Sequence, residues 1–203
     1  MIRKLFLLIY LLIDVSALRA ETFLPLSFET KFIQTHINSI SGKTKQSEGE
    51  LKYKYPGRIR FEVVKPDQVV FVSNLERSWF YTPPVMEGEP GDVTISKSSD
   101  NPLLKFLDSL KGGLKNSKNY RIQNPTPNTL IVFFNEKSQK EVGLKEAKLT
   151  FSKGEEFKNL KNLHLTYPDG KIVQFELRDL NINPKLNDET FIFVIPKNTR
   201  IAK

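Results

Sequence analysis

The sequence predicts a mainly β protein, a sandwich or barrel of short antiparallel strands carrying one helix. Three observations support this. Apolar and polar residues alternate with a period of two over many short runs. Turn residues punctuate those runs at roughly ten-residue intervals, which suits a sandwich or barrel better than βαβ units. A single segment shows helical spacing instead.

The runs follow in order. Tyr53 and Tyr55 alternate with Lys52 and Lys54, and Ile59, Phe61 and Val63 alternate with Arg58, Arg60 and Glu62. Pro56-Gly57 lies between these two runs and supplies turn chemistry. Pro66-Asp67 precedes Val69-Val70-Phe71-Val72, and Ser73-Asn74-Leu75-Glu76 turns into Ser78-Trp79-Phe80-Tyr81. In that last strand Trp79 and Tyr81 share one face and Phe80 takes the other. Later strands are expected at Tyr120 to Gln123, Thr129 to Phe134, Ala147 to Phe151, Asn162 to Tyr167, Ile172 to Leu177 and Thr190 to Val194. Pro168-Asp169-Gly170 makes a hairpin between two of them.

The helix is expected to open at Asp100-Asn101-Pro102, with Asp100 as N-cap and Pro102 in the first turn. Leu103, Phe106, Leu107 and Leu110 form its apolar stripe, Leu104 widens it, and Gly112-Gly113 stops it. The segment before it, Thr82 to Ser99, holds Pro83, Pro84, Gly88, Pro90 and Gly91 and reads as a long loop of the kind that forms lids.

At the N-terminus, Arg3 and Lys4 precede nine unbroken apolar residues, Leu5 to Ile13. A transmembrane helix needs roughly 20, so this pattern is a signal-peptide h-region. Small-residue sites place cleavage after Ala17 or Ala20, leaving residues 21–203 as one domain. The chain has no cysteine, which excludes a disulfide scaffold, thiolate metal sites and an acylated lipobox cysteine. It is also basic, with a formal net charge of +8. The lysines are scattered from Lys31 to Lys203 rather than clustered, which argues against nucleic acid as a partner.

Catalytic chemistry is excluded by what is missing. The two histidines, His36 and His164, build no zinc site without carboxylates, and no HExxH, GxSxG, P-loop, GxGxxG or EF-hand loop occurs. Glu155-Glu156 and Asp188-Glu189 are paired carboxylates in polar, loop-like segments. What remains is apolar mass, including 15 Phe, 6 Tyr and 1 Trp, able to fill a core or line a cavity.

The ordered motifs resemble a known family. Gly49 to Glu62 (GELKYKYPGRIRFE) is similar to a strand pair of the periplasmic outer-membrane lipoprotein carrier family, LolA. The same order continues through Lys65-Pro66-Asp67, Val72-Ser73-Asn74, Trp79-Phe80-Tyr81 and Pro83. Phe28, Phe32 and Gln34 match its first strand, Asn101-Pro102-Leu103-Leu104 its helix entry, and Tyr167 to Lys171 its late hairpin. The resemblance spans roughly residues 27 to 195.

The resemblance implies an open, incomplete antiparallel β-barrel of about eleven strands with a short helical lid over an apolar cavity. It implies a periplasmic monomer without cofactor or metal. Such a protein takes triacylated lipoproteins from an inner-membrane ABC exporter to an outer-membrane receptor, or to the outer membrane directly. A related half-barrel module, a glycolipid carrier or an envelope sensor, is the alternative. Candidate cavity residues are Phe32, Tyr55, Ile59, Phe61, Val63, Trp79 and Tyr81; Leu103, Phe106, Leu107 and Leu110 form the candidate lid. Two departures stand out. Tyr55 occupies the position of an arginine that latches the family's lid, which implies a latch of aromatic packing rather than charge-assisted hydrogen bonds. Thr22 to Leu26 is too short for the family's N-terminal helix, which is then lost or supplied by a retained h-region.

Overall fold

Alternation along the chain becomes one sheet. The computed structural model describes residues 22–37, 42–97 and 101–202, so the expected leader with its cleavage sites and Asp100 lie outside the described residues. The strands are β1 (Ser27–Ile37), β2 (Thr44–Lys54), β3 (Arg58–Lys65), β4 (Val69–Ser73), β5 (Arg77–Thr82) and β6 (Gly91–Lys97). After helix α1 (Pro102–Ser109) come β7 (Tyr120–Thr126), β8 (Thr129–Phe134), α2 (Glu136–Val142), β9 (Glu146–Phe151), β10 (Leu160–Thr166), β11 (Ile172–Ile182) and β12 (Thr199–Ala202). They form a 12-stranded sheet in the order β12-β6-β5-β4-β3-β2-β1-β11-β10-β9-β8-β7. Its two ends do not pair with each other, so it is an open sheet rather than a closed barrel, with twelve strands where about eleven are expected. Neighbours are antiparallel except β12 and β6, which run parallel.

Local chemistry sets the corners. The Pro56-Gly57 turn joins β2 to β3 with Gly57 at φ 64°, a conformation that favours glycine. Between β4 and β5 the Asn74 side chain accepts from the backbone N–H groups of Glu76 and Arg77. The Pro168-Asp169-Gly170 hairpin joins β10 to β11, with the Asp169 carboxylate accepting from Lys171 N–H.

One face of the sheet carries the main core. Phe28, Phe32, Tyr53, Ile59, Leu130, Val132, Leu149, Leu165, Val173 and Phe175 are buried there with Leu104, Phe106, Leu107 and Leu110 of the helix. The opposite face of β4–β6 carries a second cluster, Val70, Val72, Trp79, Tyr81 and Val93, packed under Phe193 and Ile195. A C-terminal strap provides that cover. It is anchored by Ser27 Oγ donating to Pro184 O at 2.8 Å, Lys54 and Arg58 at Asp188, and Gly91 N–H donating to Asn198 O.

Four sequence expectations need correction. Thr190 to Val194 is not a strand: Asp188–Phe191 is a 3-10 turn, and the residues after it cross the sheet unpaired. Their burial does alternate, Phe191 and Phe193 inward with Ile192 and Val194 outward, so the pattern marked an extended segment and not a ladder. The Thr82 to Ser99 stretch is not a lid loop, because its second half is β6, paired with β5. The Pro and Gly residues ahead of β6 mask the short alternation of Val93 and Ile95 with Asp92, Thr94 and Ser96. Asn101, not Asp100, caps α1, its side chain accepting from Leu104 N–H at 3.0 Å. Finally, α2 is an additional helix, capped by Asn135 and ended by Gly143 in the left-handed region.

Candidate functional site

Register builds a row of aromatic side chains on the core face. Phe61 pairs with Phe71 across β3 and β4, and Phe71 with Phe80 across β4 and β5. Directly opposed residues point to the same face, so the three rings stand side by side. On the inner flank Phe32 stacks on Phe61 at 4.6 Å, and Phe175 meets both rings edge-on at 5.7 and 6.2 Å. Gly49 permits the stack: a Cβ there would lie 2.5 Å from the Phe32 ring and 2.1 Å from Glu62 O. The row is graded in burial. Phe32 and Phe175 are buried, Phe61 and Phe71 are half-buried, and Phe80 is 47% exposed. An apolar row that surfaces in this way is a candidate contact surface for apolar matter.

Helix α1 packs into the same core cluster as Phe32, Phe61 and Phe71 and is tied down at both ends. At its start Pro102 packs against Gly143, where a Cβ would lie 3.1 Å from the proline ring. Along it Leu104, Phe106, Leu107 and Leu110 are buried and Leu103 is half-buried, with Phe106 edge-on to Phe134. At its end the Asp108 carboxylate accepts from Tyr53 Oη–H at 2.5 Å and from Gly57 N–H at 3.3 Å. Burial, followed by the Asp108 hydrogen bond, pushes the Tyr53 hydroxyl far above its ordinary range, so it stays a donor. Just beyond the helix, Lys111 Nζ sits 5.2 Å above the Tyr55 ring and donates to Thr22 Oγ1 and Leu24 O. The expected purely aromatic latch is therefore corrected. Tyr55 packs against the core, but the hold on the helix includes a charge-assisted hydrogen bond that its Asp108 carboxylate accepts from Tyr53.

Phe32, Ile59, Phe61 and Val63 share the core face with α1, and Tyr55 sits at the turn below the end of α1. Trp79 and Tyr81 do not join them. Their partners Val72 and Val70 alternate with Phe71, which puts both aromatics on the opposite face beneath the strap, with Tyr81 5.3 Å from Phe193. Phe80 is the residue of that strand on the core face. Its alternation was legible, but only the hairpin register tells which face of β5 adjoins Phe61. Arg60 and Glu62 pair with each other on the strap side rather than standing free in water, and Arg60 also donates to Thr190 O. Thr22 to Leu26 is not helical; Leu24 is buried and Phe23 packs edge-on to Phe151 and Phe157.

No cluster of three or more His, Asp or Glu able to hold a metal exists among the described residues. Nor is any helix among them long and apolar enough to cross a membrane. His164 faces away from the aromatic row, whereas His36 lies on the same face of β1 as Phe32, four residues along the strand and opposite Val173. Both are held below their ordinary value, first by burial and then by neighbouring lysines: Lys171 and Lys45 for His36, Lys148 for His164. Among the described residues the arrangement offers apolar surface and a clamped helix.

Comparison with known proteins adds the following. The family described as "Outer membrane lipoprotein carrier protein LolA" matches residues 26–194. An outer-membrane lipoprotein carrier protein of Dechloromonas aromatica is 24% identical over 177 residues, covering 87% of this chain and 81% of that protein. Another from Pseudoalteromonas translucida is 25% identical over 200 residues, covering 93% and 86%. Among solved structures, a LolA superfamily protein of Nitrosomonas europaea superposes with a TM-score of 0.41 at 10% identity, covering 85% of this chain and 93% of that one.

Proposed function

This chain belongs to the outer membrane lipoprotein carrier family, LolA, and on that premise we propose that it shelters the acyl chains of triacylated lipoproteins crossing the periplasm. In this scheme it is exported with cleavage after Ala17 or Ala20. It is loaded by an inner-membrane ABC exporter and delivers to an outer-membrane receptor or to the outer membrane itself. Within a family of carriers it is a binding protein, not an enzyme.

The observation that supports this best is the graded row from Phe175 and Phe32 through Phe61 and Phe71 to Phe80, on the face whose core cluster also takes in α1. Moving an acyl chain out of water gains about 0.8 kcal/mol per CH₂, so a chain of ~16 carbons carries on the order of 12 kcal/mol. Four buried helix side chains at about 1.5–3 kcal/mol each give α1 a hold of similar size. Cargo and helix can then compete for one surface, which permits both retention and release.

The test is native mass spectrometry of protein recovered from the periplasm, alongside Phe61→Glu, Phe80→Glu and, on the opposite face, Lys31→Glu. Bound triacylated lipoprotein is expected with the parent and with Lys31→Glu, and lost with the two core-face carboxylates. Equal retention by all three variants would remove the aromatic row from the site.

A further inference from the structure

Charge on the surface of this protein is not distributed as it is along the chain. Elsewhere ten cations meet an acid, among them Lys31 with Asp179, Lys45 with Asp67, Lys54 with Asp188, Lys65 with Glu48, Arg178 with Glu176 and Arg200 with Asp92, while others such as Lys52, Lys148 and Lys161 meet none among the described residues. The segment running through α1 into β7 is poorer still in acids. It carries Lys105, Lys111, Lys115, Lys118 and Arg121 against a single acid, Asp108. Asp108 is turned inward onto Tyr53 and Gly57, so its charge serves the clamp. None of the five cations has an acidic partner among the described residues; Lys111 is held only by Thr22, the Leu24 carbonyl and the Tyr55 ring. Lys115, Lys118 and Arg121 are exposed. Lys118 is fixed beside the start of α2 by Asn135, whose side chain donates to its carbonyl.

We propose that this unpaired basic strip, Lys105 to Arg121, docks the protein on an anionic phospholipid surface through the headgroup phosphates. The chemistry favours a bilayer over a shaped partner. Four of the five cations are lysines, compact point charges on flexible stems, and no fork of arginines is set for bidentate recognition. Lys105 lies on α1, Lys111, Lys115 and Lys118 on the glycine-containing stretch after it, and Arg121 on β7. The choice of a bilayer as partner rests on the lipid-carrier proposal, but the charge imbalance does not. Docking would bring α1 and the aromatic row to the membrane from which an acyl chain is taken or to which it is given.

The experiment measures binding of the purified full-length protein, without cargo, to vesicles of phosphatidylcholine and to vesicles that also contain phosphatidylglycerol. The neutral vesicles give the baseline for any apolar contribution. Each cation near an anionic surface is worth roughly a fivefold gain in partitioning. The triple variant Lys105→Gln, Lys115→Gln, Lys118→Gln should therefore lose about a hundredfold on anionic vesicles and nothing on neutral ones. The control triple Lys31→Gln, Lys45→Gln, Arg178→Gln removes the same charge from paired sites and should lose far less. Equal losses in the two triples would reduce the effect to net charge and overturn the proposal. So would undiminished vesicle binding by the strip variant, or a strip that discriminates for polyglutamate but not for vesicles. Cargo retention, read separately by mass spectrometry, stands or falls independently of these outcomes.

Discussion

Removing one oxygen atom should loosen one helix and little else. Tyr53→Phe deletes the hydroxyl that donates to Asp108 Oδ1 at 2.5 Å and leaves the fully buried ring in place. The Asp108 carboxylate keeps its weaker contact to Gly57 N–H at 3.3 Å and is half-exposed, so water replaces the lost donor. A hydrogen bond to a charged group contributes about 1.5–3 kcal/mol. A loss near 2 kcal/mol corresponds to about a thirtyfold rise in the opening constant of whatever the bond holds shut. If α1 opens as a unit, amide hydrogen exchange at Leu107 and Leu110 should accelerate about thirtyfold, while Phe32 and Gln34 in the central strand β1 keep their rates. Asp108→Asn retains an acceptor without the charge and should give a smaller effect, about fivefold. Equal acceleration in α1 and β1 would mean that the helix unfolds only with the whole protein and is ordinary core. Unchanged rates in α1 would mean that the clamp holds nothing.

Two further outcomes follow from the placement of other residues. Trp79, under the strap, should emit as a buried indole whether or not cargo is bound; Phe193→Ala should red-shift it and lower stability by about 2 kcal/mol, less than truncation of a fully buried phenylalanine. The depressed histidines predict an acid limb. The unfolded chain protonates near 6.5 while folded His36 and His164 resist, so stability present above pH 6.5 falls as the pH drops below it, through the lower folded values. In denaturant titrations across that range the double variant His36→Gln, His164→Gln should show a shallower acid decline; an unchanged slope would assign acid loss to the carboxylates.

The sequence made the sheet and most of its corners legible because alternation and turn chemistry are local. Pro56-Gly57, Asn74 and Pro168-Asp169-Gly170 act within a few residues of themselves. Register is not local. Which face of β5 meets Phe61 depends on how Ser78 and Phe80 line up with Ser73 and Phe71, and so Trp79 and Tyr81 drew attention that belongs to Phe80. The segment after Asp188 had the burial period of a strand with no edge to pair, since β6 is taken by β12. The clamp was invisible for a related reason: Asp108 is one polar residue of a helix, and its partner Tyr53 lies 55 positions away. The run of cations from Lys105 to Arg121 looked like scatter until Asp108, its one acid, was seen turned inward onto Tyr53.

The strand order also dictates when this protein can become itself. β1 lies at the middle of the sheet, and one of its two neighbours is β11, with Phe28 set against Ile182. Every strand from β2 to β10 can find a neighbour close by in the chain, but this central seam joins segments about 150 residues apart. Contacts of such long range demand most of the loop-closure entropy before they return any stability, and they slow folding. A nascent chain paused anywhere before β11 holds two half-sheets and no seam. Such a chain stays open until nearly all of it is available, the condition in which a polypeptide is threaded through a membrane rather than trapped folded behind it.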